Sequence, residues 1–241
     1  MYFLCVLCDF ASLRWAFNKM PLPPKTEQEL IDRCHAIAGL TVAELANQLG
    51  VNVPANLRQH KGWLGELVEK ALGADASSLS EPDFMALGIE LKTLPLNAQG
   101  KVQESTWVCT VPLRNANGLR WEDSCVYHKL RHVLWLPVEA DASIPLPERH
   151  IGSGLLWHTD EQQLAALRAD WEELMEAVAL GQFESLDARH GEVLQIRPKA
   201  ANSRVLVEAI GPEGEPMQTL PRGFYLRVGF TNALLQAHYF K

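Results

Sequence analysis

The order of secondary-structure patterns along the chain constrains its fold most strongly. Helical patterns come first: Thr26 and Thr41 are each followed three residues later by a glutamate, which is typical of a helix N-terminus. A third helix is predicted in "KGWLGELVEKALG", and segments rich in β-formers follow from Ile89 onward. A long helix is predicted from Asp160 to Gly181, before two further strands and a C-terminal helix. This order predicts an α/β fold with a mixed β-sheet flanked by helices.

Composition and charge exclude several classes of protein. The 241 residues include 47% hydrophobic and 21% charged residues, as in an ordinary globular protein, and the longest apolar runs are too short for a membrane span. The formal net charge of -7 argues against a general nucleic-acid coat, because such binding depends on basic residues. The charge is uneven, however. The segment from Thr159 to Asp187 is acidic, whereas Gly191 to Lys241 carries several basic residues and is compatible with a local basic face.

The cysteines and the N-terminal segment bear on the cellular compartment. The cysteines are odd in number and irregularly spaced, so we interpret them as reduced thiols of a cytoplasmic protein. They are Cys5, Cys8, Cys34, Cys109 and Cys125. Residues 1–20 lack the basic start of a secretory signal. We expect them to be a disordered or mis-started extension, with Met20 as a plausible start, and residues 21–241 to form the functional domain.

One predicted strand combines two acids and a lysine with core residues. In "DFMALGIELKT", Glu90 and Lys92 lie on one face of the strand because side chains alternate. Gly88 permits a sharp bend that would bring Asp83 beside Glu90. Two adjacent carboxylates repel each other unless a cation lies between them, and Mg²⁺ prefers such oxygen ligands. A solvent-exposed edge strand would show the same string, so the string alone leaves both interpretations open.

Further candidates for the same site lie elsewhere in the chain. Glu69 is on the third predicted helix, and a helix packed near the strand would add a third carboxylate. Lys129 lies four residues before the start of the apolar strand "VLWLPVE" and would add a second basic group. Lys92 would orient or deprotonate an attacking water, or stabilise charge on a phosphate.

Other chemical motifs are not evident in the sequence. The histidines show no metal-ligand spacing: His128 and His132 are four residues apart but lack a third ligand nearby, so we interpret them as structural. Neither GxGxxG nor GxxxxGK[ST] occurs, so no nucleotide-binding fold is indicated. No Ser-His-Asp signature stands out either.

Five separated motifs resemble those of the MutH-type DNA mismatch-repair endonucleases, in the same order and spacing. They are "KGWLGELVE", "DFMALGIELKT", "YHKLRHVLWLPVE", "IRPKAAN" and "LPRGFYLR". The resemblance extends from about Pro21 to Phe240 and implies a restriction-endonuclease-like fold. It further implies that residues 21–241 form one endonuclease domain, whose two lobes clamp DNA in a cleft.

The resemblance also implies the catalytic residues and the reaction. Glu69, Asp83 and Glu90 match the family's metal-binding acids. Lys92 matches the catalytic lysine, and Lys129 matches a lysine that supports cleavage. The implied activity is Mg²⁺-dependent nicking of the unmethylated strand at hemimethylated d(GATC) sites, triggered by a MutL-type partner after mismatch detection.

A DNA-contacting surface is implied in the same way. Its residues are Lys61, Gly62, Trp107, Arg197, Pro198, Lys199 and Tyr225. The first two match residues near the DNA backbone at the scissile phosphate. The Arg-Pro-Lys run matches a loop that enters the major groove, where Arg and Lys donate to guanine. The tyrosine matches the residue that senses the adenine methyl group, and the tryptophan stands where the family carries a bulky aromatic. Without the resemblance, both would be interpreted as half-buried strand aromatics.

Three functions fit these observations to different degrees. A nicking enzyme needs one catalytic set, and 241 residues with one such set favour a monomer acting on double-stranded DNA. A restriction enzyme that cuts both strands would need a dimer. A GATC-binding module without catalysis would have lost an acid or the lysine, and all of them are present. The acidic segment 160–187 and the C-terminal helix are candidate surfaces for the activating partner.

Overall fold

The structure, a computed structural model, begins with three helices. It describes residues 21–55, 60, 62–76, 80–187, 189–200 and 204–239. The helices are α1 (Glu27–Ile37), α2 (Val42–Gln48) and α3 (Trp63–Leu72). The Thr26 side chain accepts a hydrogen bond from the Glu29 amide, and Thr41 forms a complete capping box with Glu44. The predicted starts of both helices are therefore confirmed, whereas the predicted extension 1–20 lies outside the described residues.

The rest of the described chain contains eight strands and three more helices. The strands are β1 (Glu90–Leu96), β2 (Thr106–Thr110), β3 (His132–Glu139), β4 (Leu155–His158), β5 (Leu194–Pro198), β6 (Val207–Ile210), β7 (Pro216–Thr219) and β8 (Arg222–Leu226). The helices are α4 (Cys125–Leu130), α5 (Glu161–Ala179) and α6 (Val228–Tyr239), with short 3-10 turns between some elements. Sequence patterns predict all of these elements except α4, β4, β6 and β7, which are short.

The strands form two three-stranded sheets and a hairpin. In the mixed sheet β1-β3-β4, β1 runs parallel to β3 with Glu90 opposite Val133, and β4 runs antiparallel with His158 opposite His132. The second sheet, β2-β8-β5, is antiparallel, and β6 pairs with β7. The predicted α/β class with a mixed sheet flanked by helices is confirmed. The DNA cleft between two lobes stays a prediction.

The mixed sheet lies between two hydrophobic clusters. On one face, Leu134 and Leu136 pack with α1, α2 and α3. On the other face, Val133 and Trp135 pack with α5 and the second sheet. The strand β3 is therefore buried on both sides, as its nearly continuous apolar sequence predicts.

Two predictions from composition can be compared with the described residues. The three cysteines among them, Cys34, Cys109 and Cys125, are free thiols, as predicted. Among the same described residues, no helix has the length and apolar character that crossing a bilayer requires.

Candidate active site

A tight turn brings Asp83 to the start of β1. Phe84 and Ile89 pair through two backbone hydrogen bonds of 2.9 and 3.3 Å, and Gly88 has a φ of 65°, which glycine adopts without strain. The turn allows one Asp83 carboxylate oxygen to accept a hydrogen bond from the Leu91 amide at 2.8 Å. The predicted bend therefore exists, and it fixes Asp83 beside the strand.

Glu90 is buried and surrounded by lysines. It is 1% exposed, so its carboxylate needs compensating charge and hydrogen bonds. The Lys129 ammonium donates to its two oxygens at 2.9 and 2.8 Å and to the Glu81 carbonyl at 3.1 Å, while Lys92 also donates to Oε1 of Glu90. The alternative of a solvent-exposed edge strand is thus wrong, because Glu90 and Lys92 are both buried.

The charges in this cluster shift one another's proton affinity. Burial lowers the pKa of Lys129, but the charge of Glu90 and its hydrogen bond outweigh burial and raise that pKa overall, so Lys129 stays an ammonium at neutral pH. Burial, followed by the charge of Glu90, raises the pKa of Asp83. Burial and the charge of Asp83 raise the pKa of Glu69. The acids repel one another, and a bound cation would relieve this repulsion.

An open cleft of about 330 Å³ gives solvent access to two of these acids. Glu69, from the helix α3 that packs against β1, lines it together with Asp83 and Glu66. Sequence reasoning missed Glu66, although its spacing of three residues from Glu69 places both on one helix face. All donors here are carboxylate oxygens, which fit Mg²⁺. The carboxylate oxygens of Glu69, Asp83 and Glu90 do not all lie within 4.8 Å of one another. The Glu90 carboxylate instead pairs with Lys92 and Lys129.

The predicted backbone-contacting pair precedes α3. Gly62 lies immediately before the helix in a left-handed conformation, with a φ of 94°, one turn before Glu66. Lys61 lies outside the described residues, so its predicted DNA contact stays a prediction. A Cβ at Gly62 would lie 3.9 Å from Oε1 of Glu66, so the start of α3 adjoins one of the acids that line the cleft.

Trp107 connects the second sheet with the acid-lysine cluster, our name for Glu69, Asp83, Glu90, Lys92 and Lys129. It lies on β2 opposite Tyr225 of β8. Its ring centroid is 5.5 Å from the Lys92 ammonium and 3.1 Å from that of Lys199. A side chain at Gly223 would come within 2.9 Å of the indole nitrogen, so glycine is required there to seat the ring. The structure therefore brings Trp107 between two cationic residues that the sequence separates widely.

The predicted base-reading residues lie at the end of β5. Arg197 and Pro198 are the last residues of this strand, and Lys199 follows it. The Arg197 guanidinium donates to the Ser105 hydroxyl at 2.6 Å and lies 5.8 Å from the Tyr225 ring centroid. Burial raises the pKa of Tyr225, so its phenol stays neutral. Arginine, lysine and tyrosine thus share one exposed corner of the second sheet.

Lys199 has an unusual environment for a surface lysine. Its amide donates to the Pro221 carbonyl at 2.7 Å, which holds the backbone beside β8. The residue is exposed as a whole, but its ammonium sits over the Trp107 ring. This partial burial, together with the charge of Lys92, lowers the pKa of Lys199 to about 8.

A buried acid that sequence reasoning missed positions β5. The Asp170 carboxylate, on α5, accepts hydrogen bonds from the amides of Glu192, Val193 and Leu194 at 2.9, 2.7 and 2.8 Å. Asp170 therefore anchors the strand that carries the predicted reading residues. Its only sequence signal is an acid between Ala169 and Trp171 on the apolar face of a helix.

The fold and the site together define the class of protein. A mixed sheet that carries an Asp, a Glu-x-Lys pair and a third acid on an adjacent helix is the arrangement of restriction-endonuclease-like nucleases. Two cations converge on the buried Glu90 carboxylate, and the neighbouring acids Asp83 and Glu69 line an open cleft.

Comparisons with known proteins agree with this class. A family model described as the DNA mismatch repair enzyme MutH matches residues 72–170. The DNA mismatch repair protein MutH of Yersinia enterocolitica is 53% identical over 223 residues, which cover 92% of this chain and 98% of that protein. The protein of the same name from Enterobacter sp. strain 638 is 52% identical over 225 residues, covering 92% and 98%. That from Shewanella baltica is 52% identical over 214 residues, covering 89% and 96%.

The chain belongs to the MutH family of DNA mismatch repair enzymes. The predicted resemblance and the predicted enzyme class, a DNA endonuclease, are confirmed. The roles of individual residues, the cation and the activating partner stay predictions.

Proposed function

We propose that this enzyme nicks the unmethylated strand at hemimethylated d(GATC) sites, with Mg²⁺ as cofactor. One observation carries the proposal: buried Glu90 is shared by Lys92 and Lys129, while Asp83 and Glu69 stand beside it on an open cleft. Such a set of acids and lysines has the chemistry that phosphodiester hydrolysis requires. Family membership supplies the link to mismatch repair.

Each residue of the cluster has a distinct role in the proposal. Glu69, Asp83 and Glu90 would hold Mg²⁺, which supplies a bound water of lowered pKa and neutralises charge at the scissile phosphate. Lys92 orients the attacking water and presents positive charge to the phosphate. Lys129, which stays protonated, acts as a hydrogen-bond donor that fixes the Glu90 carboxylate and not as a base.

The corner of the second sheet supplies sequence recognition. Arg197 and Lys199 donate to guanine edges in the major groove, and the neutral Tyr225 ring packs where an adenine methyl group would lie. Trp107 lies between Lys92 and Lys199, so the geometry supports a short path from base recognition to the catalytic lysine. The backbone at Gly62, and Lys61 beside it, would lie along the DNA backbone.

The partners and oligomeric state follow from charge and from the number of sites. The net charge of -7 disfavours tight binding to DNA by the enzyme alone, and recruitment by a MutL-type protein would overcome this. The sequence holds one set of the acid, acid and lysine motif, which supports a monomer that cuts one strand. We propose that the enzyme acts in the cytoplasm, where its free thiols stay reduced.

A nicking assay on covalently closed plasmid DNA tests the proposal. The substrates carry unmethylated, hemimethylated or fully methylated GATC sites, with Mg²⁺ and with or without a MutL-type protein. We expect nicks in unmethylated strands only, at a rate that the partner raises. Double-strand cuts without the partner would instead favour a restriction enzyme, and binding without cutting would favour a non-catalytic module.

A variant pair assigns the chemistry to the cluster. Glu90→Gln keeps the side-chain shape but removes the charge, so we expect nicking to be lost while binding to DNA in Ca²⁺ is retained. Glu148→Gln, at an exposed position in a 3-10 turn, is the matched control and should nick at the native rate. If Glu90→Gln nicks as fast as Glu148→Gln, the site assignment is wrong.

A further inference from the structure

A second group of potential metal ligands lies apart from the acid-lysine cluster. Glu27, His132 and His158 each place one ligand atom within 4.8 Å of the other two. Within the ranges that the structure describes, this is the one group of three or more His, Cys, Asp or Glu residues with that spacing. The proposed nuclease mechanism uses none of the three. We call this group the histidine cluster.

Three secondary-structure elements build the histidine cluster. His132 is the first residue of β3 and His158 the last of β4, and they lie directly opposite each other in the antiparallel pair. Both side chains therefore project from one face of the mixed sheet, with ring centroids 3.6 Å apart. Glu27 is the first residue of α1, which packs on that face. By the same alternation, Glu90 and Lys92, which lie opposite Val133 and Trp135, project from the opposite face.

The buried histidine has a nitrogen without a partner. The His132 side chain is 9% exposed, and its Nε2 is fully buried with no hydrogen-bond partner among the described residues. The nearest Glu27 oxygen is 4.0 Å away, which is beyond hydrogen-bond distance. Buried polar atoms are nearly always satisfied, and a metal ion held together with the two neighbouring ligand groups would satisfy this nitrogen.

We propose that Glu27, His132 and His158 bind a divalent transition-metal ion, Zn²⁺ above all. Two imidazoles and one carboxylate are a ligand set typical of zinc with a fourth position open to water. Mg²⁺, which takes oxygen ligands, would not prefer this site. The enzyme would then hold two classes of cation on opposite faces of one sheet. A metal here would join the start of α1 to the ends of β3 and β4.

The charges near the histidine cluster and the exposure of two of its side chains are compatible with metal coordination. Burial and the neighbouring His158 lower the pKa of His132, so at neutral pH its ring is in the neutral form that binds metals. Arg131 also faces this ring and opposes a cation, whereas the Glu27 carboxylate favours one. Zinc bonds of about 2.0–2.1 Å require the ligand atoms to move closer together. Glu27 and His158 are exposed, so their side chains have room to rotate.

Calorimetric titration of the full chain with Zn²⁺ tests the proposal. Excess Mg²⁺ in the buffer competes with Zn²⁺ for the carboxylates of the acid-lysine cluster. The variants are His158→Ala and Glu27→Gln, both at exposed positions. His150→Ala is the matched control, because His150 is exposed and pairs with one glutamate, Glu139, at 2.8 Å. Circular dichroism verifies folding of each variant. Co²⁺ replaces Zn²⁺ in a parallel titration, because its visible absorption reports nitrogen coordination.

The expected result is one Zn²⁺ site that the control retains. Loss of a residue that only orients a metal ligand weakens metal affinity about 10–100-fold, so loss of His158, a direct ligand in the proposal, should weaken it by at least about tenfold. Glu27→Gln should also weaken it, and both variants should lose the Co²⁺ absorption. Equal Zn²⁺ binding by the native enzyme and His158→Ala would overturn the proposal, and so would the absence of Zn²⁺ binding by the native enzyme. Neither result would affect the nicking proposal, which the plasmid assay tests separately.

Discussion

The acid-lysine cluster and the corner of the second sheet both contain lysines, but the ammonium groups have different partners in the two regions. Lys129 and Lys92 pair with the Glu90 carboxylate. Lys199 lies over the Trp107 ring and, within the described part of the chain, forms no ion pair with a carboxylate. The first arrangement holds charges fixed inside the protein. The second leaves a cation available to an external anion, as base or phosphate recognition requires.

The difference predicts unequal costs in stability. Removing one member of a buried ion pair leaves an uncompensated charge, at a cost of about 3–5 kcal/mol. Glu90→Ala should lower the free energy of unfolding by that amount, because two lysines lose their partner. Lys199→Ala should change it by less than about 1 kcal/mol. Urea denaturation monitored by tryptophan fluorescence measures both values.

A charge pair at the surface provides the control for that experiment. Glu139 binds exposed His150, and exposed pairs contribute at most about 1 kcal/mol. We expect Glu139→Ala to resemble Lys199→Ala. A loss of stability in Glu90→Ala no larger than in Glu139→Ala would show that the lysines around Glu90 find other partners.

The second prediction separates catalysis from recognition. Lys92→Ala should lower the single-turnover nicking rate at saturating enzyme by about 100–1,000-fold, the usual effect of removing one charge-stabilising donor. Its affinity for DNA in Ca²⁺ should change little. Lys199→Ala should do the reverse, weakening affinity for GATC sites and leaving the saturated rate within about tenfold.

Both affinity and rate are measured for both variants, so either measurement can contradict the prediction. Anisotropy with labelled GATC duplexes gives the affinity, and quenched-flow nicking gives the rate. If both variants lose rate and affinity together, the two regions act as one unit. Trp107, which contacts both lysines, would then be the physical link between them.

A third prediction concerns the acid that anchors the reading strand. Asp170→Ala would leave three backbone amides without their acceptor, and each unsatisfied buried donor costs about 1–3 kcal/mol. We expect a loss of about 2–3 kcal/mol in unfolding free energy, because water would reach some of these amides. Discrimination between GATC and altered sites should fall as β5 loses its anchor.

Asp187→Ala is the comparison for Asp170→Ala. Asp187 is exposed and pairs with Arg189 at the surface, where solvent screens the pair, so its loss should destabilise the protein much less than loss of Asp170. Thermal unfolding and competition binding with a single-base variant of GATC measure the two effects. Unchanged discrimination in a destabilised Asp170→Ala would mean that DNA itself holds β5 in place.

Local patterns explain how much of the fold was predictable. Thr41 with Glu44, the apolar β3 and Gly88 before Glu90 each determine structure through neighbouring residues, so sequence alone sufficed. The short strands β4, β6 and β7 depend on pairing with distant segments and carry little local signal. The helix α4 is only six residues long, too short for a clear helical period.

The part of the site that lies in one short stretch of sequence was also predictable, whereas contacts between distant residues were not. Asp83, Glu90 and Lys92 lie in one short stretch, so strand alternation and one bend predict their proximity. The pairing of Lys129 with Glu90, and the contact of Trp107 with Lys199, join residues far apart in sequence and required either the family resemblance or the structure. His132 was interpreted as structural because its potential co-ligands, Glu27 and His158, are distant in sequence.

The last and smallest predicted effect uses the lowered pKa of Lys199, about 8 in the free enzyme. An anionic or acceptor partner in DNA favours the ammonium form, so binding should raise this pKa. Affinity should therefore be highest below pH 8 and fall as pH rises through 8, by at most about tenfold per pH unit. Anisotropy titrations in Ca²⁺ between pH 7 and 9.5 measure the slope.

Lys199→Arg decides whether Lys199 is the source of this pH dependence. Arginine stays charged throughout this pH range, so the variant should bind DNA with a flatter pH profile. Lys101→Arg, at an exposed position outside both regions, is the matched control and should keep the native profile. A native slope in Lys199→Arg would assign the titration to another group. It would also weaken the contrast between the two regions, because Lys199 would then be no more responsive to external anions than the lysines around Glu90.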